Sequence, residues 1–254
     1  MPGRAQEAGD KNRFDRAFFC RFGRDFKAVI TAPARWDRGD TLTLAGVSGA
    51  GLLLIAFDQE IQDWAQARRT PSSNKGSSFF THFGDGAVLL GLSAAVYAAG
   101  EFSHDDGLRK TALLSLESLA TTSLLVWTTK VIIGRARPYT EESSRSFHPF
   151  ALKSSFWSFP SGHAAAAFSV ATTIALQSKS VFIDVVAYSL ASLAGLARIH
   201  DNIHWASDVF IGAAAGYFIA KKIVGLNRPG DKKIVSLAFQ SSRSRQVLTL
   251  NIAF

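Results

Sequence analysis

Cysteine, methionine and charge are all scarce in this chain. Cys20 is the single cysteine among 254 residues, so no intrachain disulfide is possible. Charged residues make up 19%, against about 25% in average globular proteins, and this favours a membrane protein. No cluster of histidines and carboxylates has metal-ligand spacing, so no metal or other cofactor is predicted. The net charge of +8 is compatible with anionic partners, but no nucleic-acid recognition motif occurs, and we expect no nucleic acid as a partner.

The N-terminal region, residues 1–40, is basic and carries nine Lys or Arg residues. It lacks the apolar core of an export signal, which predicts that the first membrane span is an uncleaved anchor. Phenylalanines alternate with the basic residues between Arg13 and Ile30. This pattern is typical of an amphipathic helix on an anionic membrane face, and equally of a soluble tail or a helix packed on other helices.

Six apolar segments follow, and they predict an all-α, multi-pass transmembrane bundle of about six helices within a domain at residues 41–225. They are Leu42–Phe57, Gly86–Ala99, Ala112–Ile133, His163–Leu176, Val181–Ala197 and Val209–Val224. Most are shorter than the roughly 20 residues expected of a membrane span. Buried helices of a soluble all-α protein are therefore the alternative interpretation.

The distribution of basic residues favours the membrane. With six spans and a cytoplasmic N-terminus, the cytoplasmic pieces hold 19 Lys or Arg and the opposite loops hold eight. This is the asymmetry that the positive-inside rule describes. The C-terminal tail, 226–254, changes character, because alternating apolar residues at 234–239 and 247–254 predict a short β-hairpin.

The first of three polar blocks lies at the end of the third apolar segment. Lys130 and Arg137 are seven residues apart, with Pro138 following, so both cations can face the same side of a helix. Cations at the end of a membrane helix need a partner, and an anion is the natural one. A pair of side chains that reach the membrane surface is the alternative.

The second block, Pro160-Ser161-Gly162-His163, opens the fourth apolar segment. A helix N-terminus offers unpaired N–H groups and a positive dipole end, and glycine lets an anion approach the backbone. Ser161 is also suited to capping the helix, and His163 is available as a proton donor.

The third block runs from Arg198 to His204 and Asp208. Four residues separate the histidine from the aspartate, which places them on one face if this stretch is helical. A carboxylate bonded to one ring nitrogen leaves the other nitrogen free to act as a nucleophile. Arg198 adds a fork of donors suited to phosphate oxygens.

Together, the three blocks resemble the signature of the type-2 phosphatidic acid phosphatase superfamily. That signature has a lysine, six residues and Arg-Pro, then Pro-Ser-Gly-His, then Ser-Arg with a histidine and an aspartate spaced as here. One position departs from it: Ala197 stands where the family has serine. In the six-span topology, all three blocks lie on the non-cytoplasmic side.

The resemblance implies a mechanism and a set of site residues. His204 would attack phosphorus to give a phosphohistidine, Asp208 would orient it, and His163 would protonate the leaving oxygen and later activate water. Metal would not be required. The implied phosphate-binding residues are Lys130, Arg137, Ser161, Gly162 and Arg198.

The resemblance also implies a membrane phosphatase acting on a lipid phosphate monoester or diphosphate. Length and the short loops suggest a bacterial inner membrane. The alternatives are a non-catalytic lipid-binding or transport relative, a phosphatase of soluble substrates, and a vanadium haloperoxidase that uses the same pocket. The intact histidines and aspartate argue against a non-catalytic relative, and the apolar segments argue against the haloperoxidase. Substrate identity and oligomeric state are left open.

Overall fold

The computed structural model describes residues 12–228 and the backbone of residues 235–242 and 245–252. Its described helices, in chain order, are α1 (Arg16–Ile30), α2 (Arg38–Ala67), α3 (Pro71–Thr81), α4 (Gly86–Phe102), α5 (Asp106–Ile133), α6 (Gly162–Gln177), α7 (Val181–His200) and α8 (Ala206–Leu226). Strands β1 (Val235–Ser242) and β2 (Arg245–Ile252) pair in an antiparallel hairpin. The helical class and the C-terminal hairpin are as the sequence predicts.

Each of the six predicted apolar segments lies within one helix, from α2 to α8 with α3 excepted. Helix α2 is longer than its apolar segment, because it continues ten residues beyond Phe57 to Ala67. The extension is polar (Asp-Gln-Glu-Ile-Gln-Asp-Trp-Ala-Gln-Ala), so a hydropathy pattern alone does not detect it. Helix α3 was not predicted, because its sequence is rich in serine and has little apolar periodicity.

Four of the described helices are long and apolar enough to cross a membrane: α2, α5, α7 and α8. Helices α3 and α4 form a pair bent by 57°, which would be a fifth span or a re-entrant segment. Large apolar side chains cover the outer surfaces of the candidate spans, including Leu52 of α2 at 67% exposure and Phe182 of α7 at 76%. Such surfaces are unfavourable in water and suit lipid, so the chain is an integral membrane protein.

The interior of the bundle is built from small and hydroxyl-bearing residues. Thr173 of α6 donates a hydrogen bond to Ser118 of α5 at 3.1 Å. Four consecutive alanines of α6, residues 164–167, are buried. In a membrane, helices associate by close packing and interhelical hydrogen bonds rather than by hydrophobic exclusion, and small residues make that approach possible.

Glycines on α8 allow its closest approach to α6. A Cβ atom at Gly212 would collide with the backbone carbonyl oxygen of Ser161, and one at Gly216 would collide with that of Ala165. Because these obstacles are backbone atoms, they cannot rotate away. The small residues therefore fix α8 against the first turn of α6.

Substituting Gly212 by alanine should therefore lower stability, by about 1–3 kcal/mol for overpacking. Gly46→Ala on α2 is a matched control, because its added Cβ would meet no atom within 4 Å. Alanine is a better helix former than glycine, so the control should be neutral or stabilising. Thermal unfolding in detergent measures both variants, and equal midpoints would contradict this account of the α6–α8 contact.

Helix α1 packs against the bundle, which is one of the three settings that its sequence allows. Phe18 and Asp25 are buried, and Asp25 accepts a hydrogen bond from the Asn227 side chain at 2.7 Å. Arg21 lies 3.7 Å from Glu117 of α5. Helix α1 thus lies at the end of the bundle where α8 finishes, and the three polar blocks lie at the opposite end.

Candidate active site

The backbone changes direction sharply at the end of α5, between the two cations of the first block. Gly134 caps the helix in a left-handed conformation, with φ of 62°, and a side chain there would collide with the backbone of His148. Glycine adopts this conformation at little cost. The turn directs Arg135 inward and leads Arg137 into the loop.

Lys130 is nearly buried at the end of α5, where its ammonium group contacts the loop that precedes α6. Its Nζ donates hydrogen bonds to the carbonyl oxygens of Trp157 at 2.6 Å and Ser158 at 3.4 Å. The aliphatic part of the side chain lies within 4 Å of the position that a Cβ on Gly162 would take. Lys130 is therefore next to the N-terminus of α6.

Helix α6 begins at Gly162, with Ser161 as its N-cap. The Ser161 hydroxyl accepts a hydrogen bond from the Ala164 N–H, and its own N–H donates to the Asp208 carbonyl oxygen at 2.9 Å. The capping role expected of Ser161 is what the structure shows. The bond between Ser161 and Asp208 joins the second block to the third.

His163, in the first turn of α6, contacts the break between α3 and α4. A Cβ on Gly84 would lie 2.9 Å from the Cβ of His163, so the two segments touch. Asp85, Lys130, Arg137 and Arg198 are all near enough to act electrostatically on the His163 ring. The histidine thus lies among the cations of the first and third blocks.

His204, in the loop that connects α7 to α8, lies next to Asp208 in the first turn of α8, and both side chains are buried. The Nδ1 atom of His204 is 3.7 Å from Oδ2 of Asp208 and 3.4 Å from the Ser158 hydroxyl oxygen. Ser158 donates a hydrogen bond to the same carboxylate oxygen at 2.5 Å. Ser158 therefore links the imidazole to the aspartate.

Two geometric arguments from the sequence were wrong, although the residues do come together. His204 precedes α8, which begins at Ala206, so it does not share a helical face with Asp208. Arg137 lies beyond the end of α5 at Ile133, so it does not share one with Lys130. Tight turns, and not helical periodicity, bring each pair together.

A buried ionic network holds the Asp208 carboxylate on the side opposite His204. Arg135 donates to Oδ1 of Asp208 at 2.6 Å and to Oδ2 of Asp58 at 2.7 Å. It also donates to the Ser207 hydroxyl at 2.7 Å and to the Ser144 carbonyl oxygen. Arg135 and both aspartates have no exposed surface.

Sequence reasoning missed Asp58, Arg135, Ser158 and Ser207. A signal existed for Asp58, because a carboxylate at the end of an apolar membrane segment requires a partner. Arg135 stood inside the first block, between two residues with assigned roles. Its partners lie 73 and 77 residues away, and no local pattern reveals such contacts.

Arg137 and Arg198 border the site from the loop and from α7. The Nε atom of Arg137 donates to the Ser154 carbonyl oxygen at 3.0 Å. One terminal nitrogen of Arg198 donates to the Thr81 hydroxyl at 2.5 Å. The Nε atom of Arg198 is buried and has no hydrogen-bond partner among the described residues.

Burial lowers the pKa of His204 to about 3, with the nearby Lys130 and Arg137 acting in the same direction and Asp208 opposing them. Its imidazole is therefore neutral at physiological pH. With Nδ1 turned toward the Asp208 carboxylate, the Nε2 lone pair is available for nucleophilic attack. Within residues 12–228, no three His, Cys, Asp or Glu residues form a group that could hold a metal ion.

Residues 111–228 match the model of the PAP2 superfamily. The chain is 30% identical over 223 residues to the lipid A 1-phosphatase of Rhizobium johnstonii, with 79% of this chain and 85% of that protein covered. It is 47% identical over 66 residues to the lipid A 1-phosphatase of Porphyromonas gingivalis, where the match spans 25% of this chain and only 15% of that protein.

A solved structure has the same fold. The transmembrane PAP2-type phosphatidylglycerolphosphate phosphatase of Bacillus subtilis superposes with a TM-score of 0.58 at 26% identity. The match covers 72% of this chain and 94% of that one. The similarity therefore extends over the helical bundle as well as the sequence blocks.

Proposed function

This chain belongs to the PAP2 superfamily, and from that premise we propose that it hydrolyses a lipid phosphate through a phosphohistidine formed on His204. The observation that carries the proposal is the meeting of His204 and Asp208 with the cations of the first block at one end of a membrane bundle. A neutral, buried imidazole next to a carboxylate is suited to nucleophilic attack. The proposal includes diphosphates as well as monoesters.

In the first step, Nε2 of His204 attacks phosphorus and the bond to the leaving oxygen breaks. His163, whose protonated form would be stabilised by the negative charge of the bound phosphate, gives its proton to that oxygen. Asp208 stabilises the positive charge that the His204 ring acquires. In the second step, His163 removes a proton from water, the water oxygen attacks phosphorus, and the N–P bond breaks to release phosphate.

The equatorial oxygens of the phosphoryl group would be bound by three cations and by the first turn of α6. These groups are Lys130, Arg137, Arg198, the Ser161 hydroxyl and the Gly162 N–H. Negative charge in the transition state lies on these oxygens, so fixed positive groups there stabilise it. A helix N-terminus adds unpaired N–H groups and a favourable dipole.

Two features support a lipid substrate. The relatives described above are phosphatases of lipid A and of phosphatidylglycerolphosphate, which are both lipid phosphates. Exposed apolar side chains also lie in the loop that contains Arg137, namely Tyr139, Phe147, Phe150 and Leu152. Such residues suit the boundary between lipid and water, where a substrate would keep its tails in the bilayer.

The positions of α1 and the candidate site at opposite ends of the bundle support a location in the bacterial inner membrane, with the site on the non-cytoplasmic side. The end of the bundle that carries α1 also carries the basic N-terminal region, and the site lies at the other end. By the positive-inside rule, the basic end faces the cytoplasm.

Phosphate release from a panel of lipid phosphates by detergent-purified protein tests this function. We expect release from at least one of lipid A 1-phosphate, phosphatidylglycerolphosphate, phosphatidic acid or an isoprenyl diphosphate, with the same rate in excess EDTA. Absence of release from every lipid, in folded protein, would contradict the proposal. Loss of activity in EDTA that added metal restores would contradict the metal-free mechanism.

Lys130→Met tests whether Lys130 belongs to the phosphate-binding groups. Methionine keeps most of the apolar stem and removes the charge, so the variant should lose about 100-fold in kcat/KM, as for other transition-state donors. The measurement uses the best lipid of the panel, and thermal unfolding shows whether the fold is kept. Unchanged kcat/KM would show that Lys130 does not bind the phosphate.

A further inference from the structure

One face of α3 carries three hydroxyl groups that all meet the end of α7 and the loop that follows. Ser73, Ser77 and Thr81 are spaced by four residues, so they line one side of this 11-residue helix. Helix α3 lies at the same end of the bundle as the candidate site. None of its side chains takes part in the proposed chemistry.

Each hydroxyl contacts the segment that contains Arg198. The Ser73 oxygen is 2.9 Å from Nε2 of His200. Ser77 is buried and donates toward the Asp201 carboxylate at 2.6 Å and the Ala197 carbonyl oxygen at 3.1 Å. These contacts join residues more than 110 positions apart in the chain, so they depend on the tertiary fold.

Thr81 binds the arginine itself. Its hydroxyl oxygen accepts a hydrogen bond of 2.5 Å from one terminal nitrogen of Arg198, and the same nitrogen lies 3.4 Å from Asp201. Ser77 in turn binds Asp201. The hydroxyl face of α3 therefore fixes Arg198 both directly and through Asp201.

The rest of the guanidinium is left available. The Nε atom of Arg198 is buried without a hydrogen-bond partner in the described part of the chain, and an unpaired buried donor is costly. Anchoring one terminal nitrogen leaves the edge formed by Nε and the other terminal nitrogen. That edge is a two-donor fork of the kind that binds two oxygens of one phosphate.

We propose that α3 is a positioning element of the active site, in which Thr81, assisted by Ser77 through Asp201, sets the orientation of Arg198 for the phosphate. The inference rests on the proposed function, because it takes Arg198 as a phosphate ligand. Ala197, which precedes the arginine, has no side-chain hydroxyl, so the hydroxyl support for Arg198 comes from α3. Thr81 and Ser77 act through other residues and do not touch the substrate.

Thr81→Val and Thr81→Ser test the inference. Valine has nearly the shape of threonine but cannot accept the hydrogen bond, whereas serine can. We expect Thr81→Val to lose about 10-fold in kcat/KM on the lipid that the wild type prefers, because a loosened ligand misplaces the phosphate. Thr81→Ser should stay within about twofold of the wild type.

Inhibition by orthovanadate separates positioning from general stability. Vanadate occupies a phosphate site with five-coordinate geometry, so its inhibition constant should rise in Thr81→Val by about the same factor as kcat/KM falls. Ser78→Ala, which alters an exposed hydroxyl on the same helix, is the control and should leave both constants unchanged.

Three outcomes would overturn the inference while leaving the proposed function intact. They are wild-type constants in Thr81→Val, an equal loss in Thr81→Ser, and a lower melting temperature with unaltered vanadate inhibition. A wild-type protein that releases no phosphate from any lipid would instead overturn the proposed function, and the inference with it.

Discussion

Replacing His204 by alanine is expected to abolish phosphate release, with a loss of about 10⁴-fold or more in kcat, since a missing nucleophile removes the covalent route altogether. The fold should survive, because among the described residues the ring makes one side-chain hydrogen bond, a long one to Ser158 at 3.4 Å.

A covalent label distinguishes nucleophilic from merely structural loss. Brief reaction with a ³²P-labelled lipid phosphate, followed by denaturation, should leave an acid-labile and base-stable phosphate on the wild type and none on His204→Ala. His163→Ala should be labelled more slowly, because the leaving oxygen is no longer protonated, and should then lose the label slowly, because activation of water is impaired.

His104→Asn is the matched control for a histidine substitution. His104 is exposed at the opposite end of the bundle, in a backbone conformation with φ of 55° that asparagine also tolerates. It should keep wild-type activity and labelling. A labelled, active His204→Ala protein would show that another residue carries the phosphoryl group.

Replacing Arg135 by methionine is expected to cause the largest loss of stability, about 3–5 kcal/mol, because it leaves two buried carboxylates without their countercharge. Asp58 and Asp208 both lie within 2.7 Å of the guanidinium. Activity in the remaining folded protein should also fall, since Asp208 would be free to turn away from His204. Thermal unfolding and kcat measure the two effects separately.

Arg145→Met provides the comparison. Arg145 is exposed on the same loop, and surface substitutions usually change stability by no more than about 0.5 kcal/mol. The double variant Arg135→Met/Asp58→Asn should be more stable than Arg135→Met alone, since it removes one of the uncompensated charges. An unfolding midpoint in Arg135→Met equal to that of Arg145→Met would contradict the account of the network.

Asp58 extends the candidate active site beyond the three sequence blocks, and Arg135 gives the first block a third functional cation. The carboxylate of Asp208 faces His204 on one side and Arg135 on the other, so its position depends on α2, on the turn after α5 and on the start of α8. Ser207 reinforces this arrangement, because its N–H donates to Asp58 at 2.9 Å. An aspartate held by three elements can orient His204 more firmly than one held by its own loop.

The sequence by itself determined the helical class, the six apolar segments, the hairpin and the family, because hydropathy, charge asymmetry and residue spacing are local properties. It also identified Lys130, His163, His204 and Asp208 as residues that belong together. It did so partly for the wrong geometric reason, since turns and not helix faces join them.

Only the tertiary structure decided which residues support the site. The Arg135 network and the hydroxyl face of α3 join positions as far as 149 residues apart, and such contacts depend on how helices pack. The packing depends in turn on single atoms, such as the hydrogen at Gly212 in place of a methyl group. Local patterns report which residues a helix can bury, whereas the partners of a buried charge are set by the helices that surround it.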